Sequence, residues 1–145
     1  PELLKSVVNR HILTQDQVDY FIARWSSLEN CQYADGRYGG LFAASDIMIT
    51  DGVSFLVEYQ IFEKPLIFVD SGRHAPFNEI GKLAKSCAYV VHDFSDMKAL
   101  VLNYKNGKMQ YPYEEKRKHL MNILFPSDKK PEHIIMDNII ESLEA

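Results

Sequence analysis

Apolar positions recur along this chain with two different periods. Val18, Phe21, Ile22 and Trp25 fall at helical spacing and share one face. Thr14, with Gln17 three residues later, has the spacing of a capping box and predicts a helix start at Gln15. That helix is expected to end between Ser27 and Asn30. Other stretches are short and continuously apolar. Ile47, Met48 and Ile49 form a run too short for a helix, and Leu66-Ile67-Phe68-Val69 and Ala88-Tyr89-Val90-Val91 resemble it. Such runs predict strands covered on both faces, as in a parallel sheet. Cys31-Gln32-Tyr33 is a weaker strand candidate.

Helical patterning fills the intervals. A short helix is predicted over 38–44, and one begins near Val53 or Ser54, with Phe55, Leu56, Tyr59 and Phe62 at helical spacing. Glu63-Lys64-Pro65 ends it, because the residue before a proline avoids the helical region. Further helices are expected over 79–86, after Ser95 as cap with a Met97, Leu100, Val101 and Tyr104 face, over 114–124, and from Pro131 with Ile134, Ile135, Ile139, Ile140 and Leu143. Asp35-Gly36, Asp51-Gly52, Asp70-Ser71-Gly72 and Asn106-Gly107 read as turns. Residues 73–78 read as a loop. Residues 1–13 have no clear period: Leu3, Leu4, Val7 and Val8 suggest a short amphipathic turn, and Asn9-Arg10-His11 a loop. The alternation of strands and helices predicts an α/β fold: a three-layer, Rossmann-like domain with a mostly parallel sheet of about four strands. It reads as one domain over 1–145.

Composition narrows the classes. The chain of 145 residues is 46% hydrophobic and 25% charged, enough for a substantial core. Its net charge is −4 and its basic residues are scattered, which argues against nucleic acid as partner. The two cysteines, Cys31 and Cys87, have neither paired spacing nor neighbouring histidines, so no disulfide framework or metal site is expected and a reducing cytoplasm is the natural setting. No apolar run approaches the ~20 residues of a membrane helix, so direct membrane insertion is not expected. The chain begins at Pro1 without an initiator Met, which reads as a piece of a longer protein.

In parallel α/β sheets ligands bind beyond the carboxyl ends of the strands. Such ends carry Asp51, Ser54, Asp70, Ser71, Arg73, His74 and His92. The turn Asp51-Gly52-Val53-Ser54 opens a helix, whose first N–H groups and dipole suit an anion. Ser54 adds a hydroxyl donor. The alternative for the same residues is that Asp51 or Ser54 only caps the helix. Glu58, one turn beyond Ser54, suits a ribose, or is a solvated acid. Arg73 suits a phosphate or faces water. His74 is a candidate for proton transfer or a surface histidine. His11, His119 and His133 read as surface residues, and Trp25 with the Phe and Tyr side chains as core.

The string Ser45-Asp46-Ile47-Met48-Ile49-Thr50-Asp51, then Ser54, Glu58-Tyr59 and Lys64-Pro65-Leu66-Ile67-Phe68, resembles the C-terminal signature of the CDP-glycerol glycerophosphotransferases, which build teichoic acids and capsule polymers. The likeness is ungapped over 44–68 and looser through the strand, helices and final helix that follow. It implies the donor-binding, C-terminal half of a GT-B fold. By the resemblance Ser54 touches the donor pyrophosphate, and Asp51 and Glu58 stand at the family's acidic positions. Together with Gly52, Val53, Ser71 and Arg73 they make the expected donor site, and His74 is the candidate catalytic residue. The implied donor is CDP-glycerol or a similar nucleotide-linked compound, with no cofactor or metal. The acceptor polymer would be held by a missing N-terminal half, and the parent enzyme would lie peripherally at the inner face of the membrane. Gly52 and Val53 replace the family's usual aromatic and first serine, and the loop 72–78 departs from the common pattern. Pro1 is a candidate for the proline of the family's upstream His-Pro motif, whose histidine would then lie outside this chain. This piece alone is therefore expected to bind a nucleotide weakly and to catalyse nothing. Two other readings fit the same residues: a GT-B enzyme of sugar nucleotides, and a non-enzymatic phosphate-binding or interaction module.

Overall fold

The computed structural model describes residues 2–34, 36, 38–126 and 129–144. They fall into two compact units, residues 1–40 and 41–145. The expected turn at Asp35-Gly36 lies partly outside the described residues, as does Pro1.

The first unit holds α1 (Glu2–Asn9) and α2 (Gln15–Ser26), which contact each other. The first helix corrects the expectation of a mere turn at Leu3, Leu4, Val7 and Val8, while Arg10 and His11 lie outside it as the expected loop has them. A single helical turn satisfies few backbone groups, and the extra turn through Asn9 lets the chain reverse at His11, whose φ is 57°. α2 starts as its sequence dictates: the Gln17 N–H donates to Thr14 Oγ1 (3.2 Å) and the Thr14 N–H to Gln17 Oε1 (2.9 Å). Of its apolar face only Val18 is buried. Phe21 and Trp25 stack on each other, with 6.1 Å between ring centroids, and remain exposed, so they are not core as expected. Cys31-Gln32-Tyr33 forms no strand; its backbone is taken up locally, with Trp25 Nε1 donating to Gln32 O.

α3 (Gly39–Ala44) precedes the sheet. The second unit is built on three parallel strands, β1 (Met48–Thr50), β2 (Leu66–Val69) and β3 (Tyr89–Val91), in the order β1-β2-β3. Among the described residues there is no fourth strand, against the expected four or so. The register sets Thr50 beside Phe68 and Phe68 beside Val90. β2 is central, and Leu66, Ile67 and Phe68 are wholly buried, which explains its unbroken apolar run.

α4 (Val53–Glu58) continues into a 3-10 turn, Tyr59–Phe62, and leads to β2. The expected single helix to Phe62 thus tightens in its last turn, a common way to satisfy terminal carbonyls. Glu63 closes it in the left-handed region (φ 55°) before Lys64-Pro65. α5 (Glu79–Ser86) leads to β3, and α6 (Phe94–Lys105), α7 (Glu114–Leu124) and α8 (Pro131–Glu144) follow. Successive parallel crossovers of one hand put α4 and α5 on the same face, and the two do touch. Leu56, Tyr59, Leu66, Phe68, Ala84, Cys87 and Leu120 form the core there, with α7 closing over α5. Asp93, not Ser95, caps α6: its side chain accepts from the Asp96 N–H at 2.9 Å. An aspartate one residue before the first helical position reaches N3 directly, whereas Ser95 is already inside the helix. At its far end Gly107 (φ 66°) makes the paired bonds of a Schellman motif, Lys108 N to Asn103 O and Gly107 N to Tyr104 O.

Candidate functional site

All three strands run the same way, so the loops after β1, β2 and β3 open on one rim. These loops are 51–52, 70–78 and 92–93. Asp70 ties the rim together. Its N–H donates to Val91 O (2.8 Å) and its carbonyl meets His92 Nδ1 (3.1 Å). One carboxylate oxygen accepts from the Gly72 N–H (2.9 Å), which holds the turn whose glycine sits at φ 69°. The other oxygen pairs with Lys85 Nζ from the last turn of α5. The Lys85 ammonium and the Gly72 N–H hold the Asp70 carboxyl below the ordinary carboxylate range. Lys85 also lies 5.7 Å and 5.4 Å from the ring centres of Phe68 and Phe77.

Neither Asp51 nor Ser54 caps α4. Gly52 is the N-cap and α4 has no side-chain cap; the Gly52 N–H donates instead to Thr50 Oγ1 at 2.9 Å. Thr50 is buried, and its hydroxyl closes the turn from within. The capping alternative for Asp51 and Ser54 is therefore overturned. Both side chains are exposed, as are Val53 and Glu58. Ser54 and Glu58 lie one turn apart on the same helix face. In the loop after β2, Ser71 and Arg73 are exposed, and Ser71 Oγ accepts from the Arg73 N–H (3.3 Å). His74 differs from its neighbours. It is half-buried against Phe68 (5.3 Å between ring centres) and Phe77 (6.1 Å), and its Nε2 is buried without a hydrogen-bond partner.

The residues of the 44–68 string divide by what they touch. Ser45, Tyr59 and Lys64 turn inward. Tyr59 is wholly buried and its hydroxyl meets Ser45 Oγ at 2.9 Å, while Ser45 Oγ donates to Phe42 O at 3.0 Å. Burial pushes the Tyr59 phenol above its ordinary pKa. Lys64 Nζ donates to three carbonyls, Phe42 O, Ala43 O and Ser45 O, which close the end of α3. Asp51, Ser54 and Glu58 are exposed to solvent. One half of the string thus packs inward around the start of β1, and the other half is exposed.

Lys85 is the rim residue that sequence reading missed. Nothing in the sequence distinguishes a lysine fifteen positions beyond Asp70, and only the β2–α5 crossover brings them together. Among the described residues no group of three or more His, Cys, Asp or Glu could hold a metal ion. No helix of the described residues is long and apolar enough to cross a membrane. Comparison with protein-family models, curated proteins and solved structures gives no match.

Proposed function

We propose that this chain is the donor-binding half of a polyol-phosphate transferase of the CDP-glycerol glycerophosphotransferase type, Rossmann-like and equivalent to the second half of a GT-B fold. The observation that carries the reading is the rim itself. An uncapped helix start, two exposed serines and the cations Arg73 and Lys85 stand at the carboxyl ends of three parallel strands. That is where such sheets bind ligands. The likeness of the 44–68 string to the transferase signature adds the donor class.

In this reading Ser54 Oγ and the first N–H groups of α4 receive the diphosphate of a CDP-linked polyol, and Arg73 supplies positive charge. An acceptor hydroxyl on the growing polymer attacks the polyol-bearing phosphorus. The bond to the bridging oxygen breaks and CMP departs with the electron pair. The chain's own contribution is positioning and charge stabilisation of the leaving phosphate. The proton of the acceptor goes to a base; His74 is the candidate on this rim, through the ring edge that is not buried, and a base from the acceptor-binding half is the other source. Donors of this kind place the reaction on the cytoplasmic side, with the polymer held by that other half.

Titration of the chain with CDP-glycerol, CDP and UDP-N-acetylglucosamine, followed by NMR or calorimetry, tests this. Selective binding of the CDP ligands is expected, weakened about ten-fold or more in Ser54→Ala, since a hydrogen bond to a charged group contributes about 1.5–3 kcal/mol. Preference for the UDP-sugar moves the assignment to a sugar-nucleotide enzyme. Identical CDP affinity for wild type and Ser54→Ala removes the diphosphate from this helix.

A further inference from the structure

We propose that a cavity beside α7 binds a small organic monocarboxylate, with the Arg117 guanidinium as the group that receives it. The cavity has a volume of about 340 Å³, and Arg117, Tyr111 and Met121 are among the side chains that line it. It lies away from the rim described above. Glu63, another lining residue, stands just before β2, and the Tyr111 hydroxyl donates to Cys87 O, just before β3. Both contacts belong to the amino ends of the strands, so this site is at the opposite end of the sheet and does not depend on what the rim binds.

Arg117 is only 7% exposed. A guanidinium is almost never buried without an anionic partner, because desolvating a charge is costly. Among the described residues no carboxylate pairs with Arg117. Of its five N–H donors, one meets Lys64 O at a long 3.4 Å, and the guanidinium lies 4.1 Å from the centre of the Tyr111 ring. Holding one carbonyl does not account for a buried fork of donors. The residues around it are donor-rich as well: Gln60 is wholly buried, its Oε1 meets the Tyr111 hydroxyl at 3.5 Å, and its Nε2 has no partner. Charge selects the ligand. The exposed Glu63, Glu114 and Lys118 also line the cavity, and Lys118 is bridged to Glu115 at 2.9 Å. The wall therefore carries two acids against two bases, and the buried base is the unanswered one. A planar monocarboxylate matches the guanidinium fork and brings one negative charge. A phosphate dianion would set a second charge beside two glutamates, which is unfavourable. The volume is near the lower end for ligand sites, and Met121 offers an apolar surface to a small organic body.

The test titrates the whole chain with sodium acetate, sodium benzoate and inorganic phosphate at matched ionic strength, and follows the Arg117 Nε–H resonance by NMR. At least one of the two carboxylates should shift it saturably, and phosphate should bind about ten-fold more weakly or worse. Arg117→Lys keeps the charge and loses the fork, so carboxylate affinity should fall about ten-fold or more, read by calorimetry. Because Arg117 also holds Lys64 O, a second variant leaves that bond in place. Asn122 is an exposed lining residue, and Asn122→Trp should fill the cavity and abolish binding with an unchanged circular dichroism spectrum. Glu63→Gln with Glu114→Gln should tighten the carboxylate a few-fold, and more at low salt than at high. The proposal is overturned if neither carboxylate shifts the resonance saturably, or if phosphate binds as tightly as the better carboxylate. It is equally overturned if Asn122→Trp, correctly folded, binds the carboxylate as the wild type does.

Discussion

Replacing Lys64 by methionine isolates one interaction. The side chains have similar length, so packing along the stem is kept and only the ammonium is lost. In the folded chain that ammonium serves Phe42 O at 3.2 Å, Ser45 O at 2.7 Å and Ala43 O. The Phe42 and Ser45 bonds are partly buried, and the Ala43 bond is exposed. Water can replace the exposed bond at little cost. A partly buried bond to a charged donor contributes about 1.5–3 kcal/mol, and losing the donor strands a carbonyl away from water. The charge also complements the negative end of α3, which adds about 0.3–1 kcal/mol. Allowing for partial rescue by water at both sites, the net loss is about 2–4 kcal/mol, a large share of an ordinary domain's stability. Urea unfolding of Lys64→Met should show a lower midpoint at unchanged slope. Lys82→Met provides the control. Its bridge to Glu79 is 2.7 Å long but both side chains are largely exposed, so a change of under about 0.5 kcal/mol is expected. If Lys64→Met is as stable as Lys82→Met, the inward clamp of the string does not hold β1, and its residues must be explained through the ligand instead.

Two further predictions follow from the same geometry. Gly81→Ala should destabilise by about 1–3 kcal/mol in urea although alanine favours helices, because a Cβ there would stand 2.9 Å from Phe77 Cδ1 and 3.2 Å from the capping Asn78 Oδ1; a gain in stability would show that the Phe77 ring yields freely. Asp70 has a folded pKa below its unfolded one, so its contribution is present above the usual carboxylate pKa of about 3.9 and is lost as pH falls through the lower folded value. Asp70→Asn should remove that part of the acid limb in a pH series of thermal melts, and an acid limb identical to wild type would show that Lys85 and Gly72 do not stabilise the carboxylate.

The sequence by itself determined most of the local structure. The capping box at Thr14, the strand at Leu66–Val69, the breaks at Pro65 and Gly107 and the helix at Glu114–Leu124 all arise from residues within a turn or two of each other. Period, caps and chain breakers act at that range, so they can be read directly. It also placed Asp51, Ser54, Ser71 and Arg73 at strand ends, because the strands themselves were legible. Tertiary structure decided what those residues face. Lys85 reaches Asp70 only through a crossover, and Lys64 and Tyr59 turn inward because α3 returns over the start of β1. His74 is covered on its Nε2 side because Phe77 and Phe68 converge on it. Trp25 and Ile135, Ile139 and Ile140 of α8 have the same apolar periodicity as buried residues, yet stay exposed. Periodicity shows that a face is apolar; which surface covers it depends on chain packing at long range, and that is not written at the spacing of one helical turn.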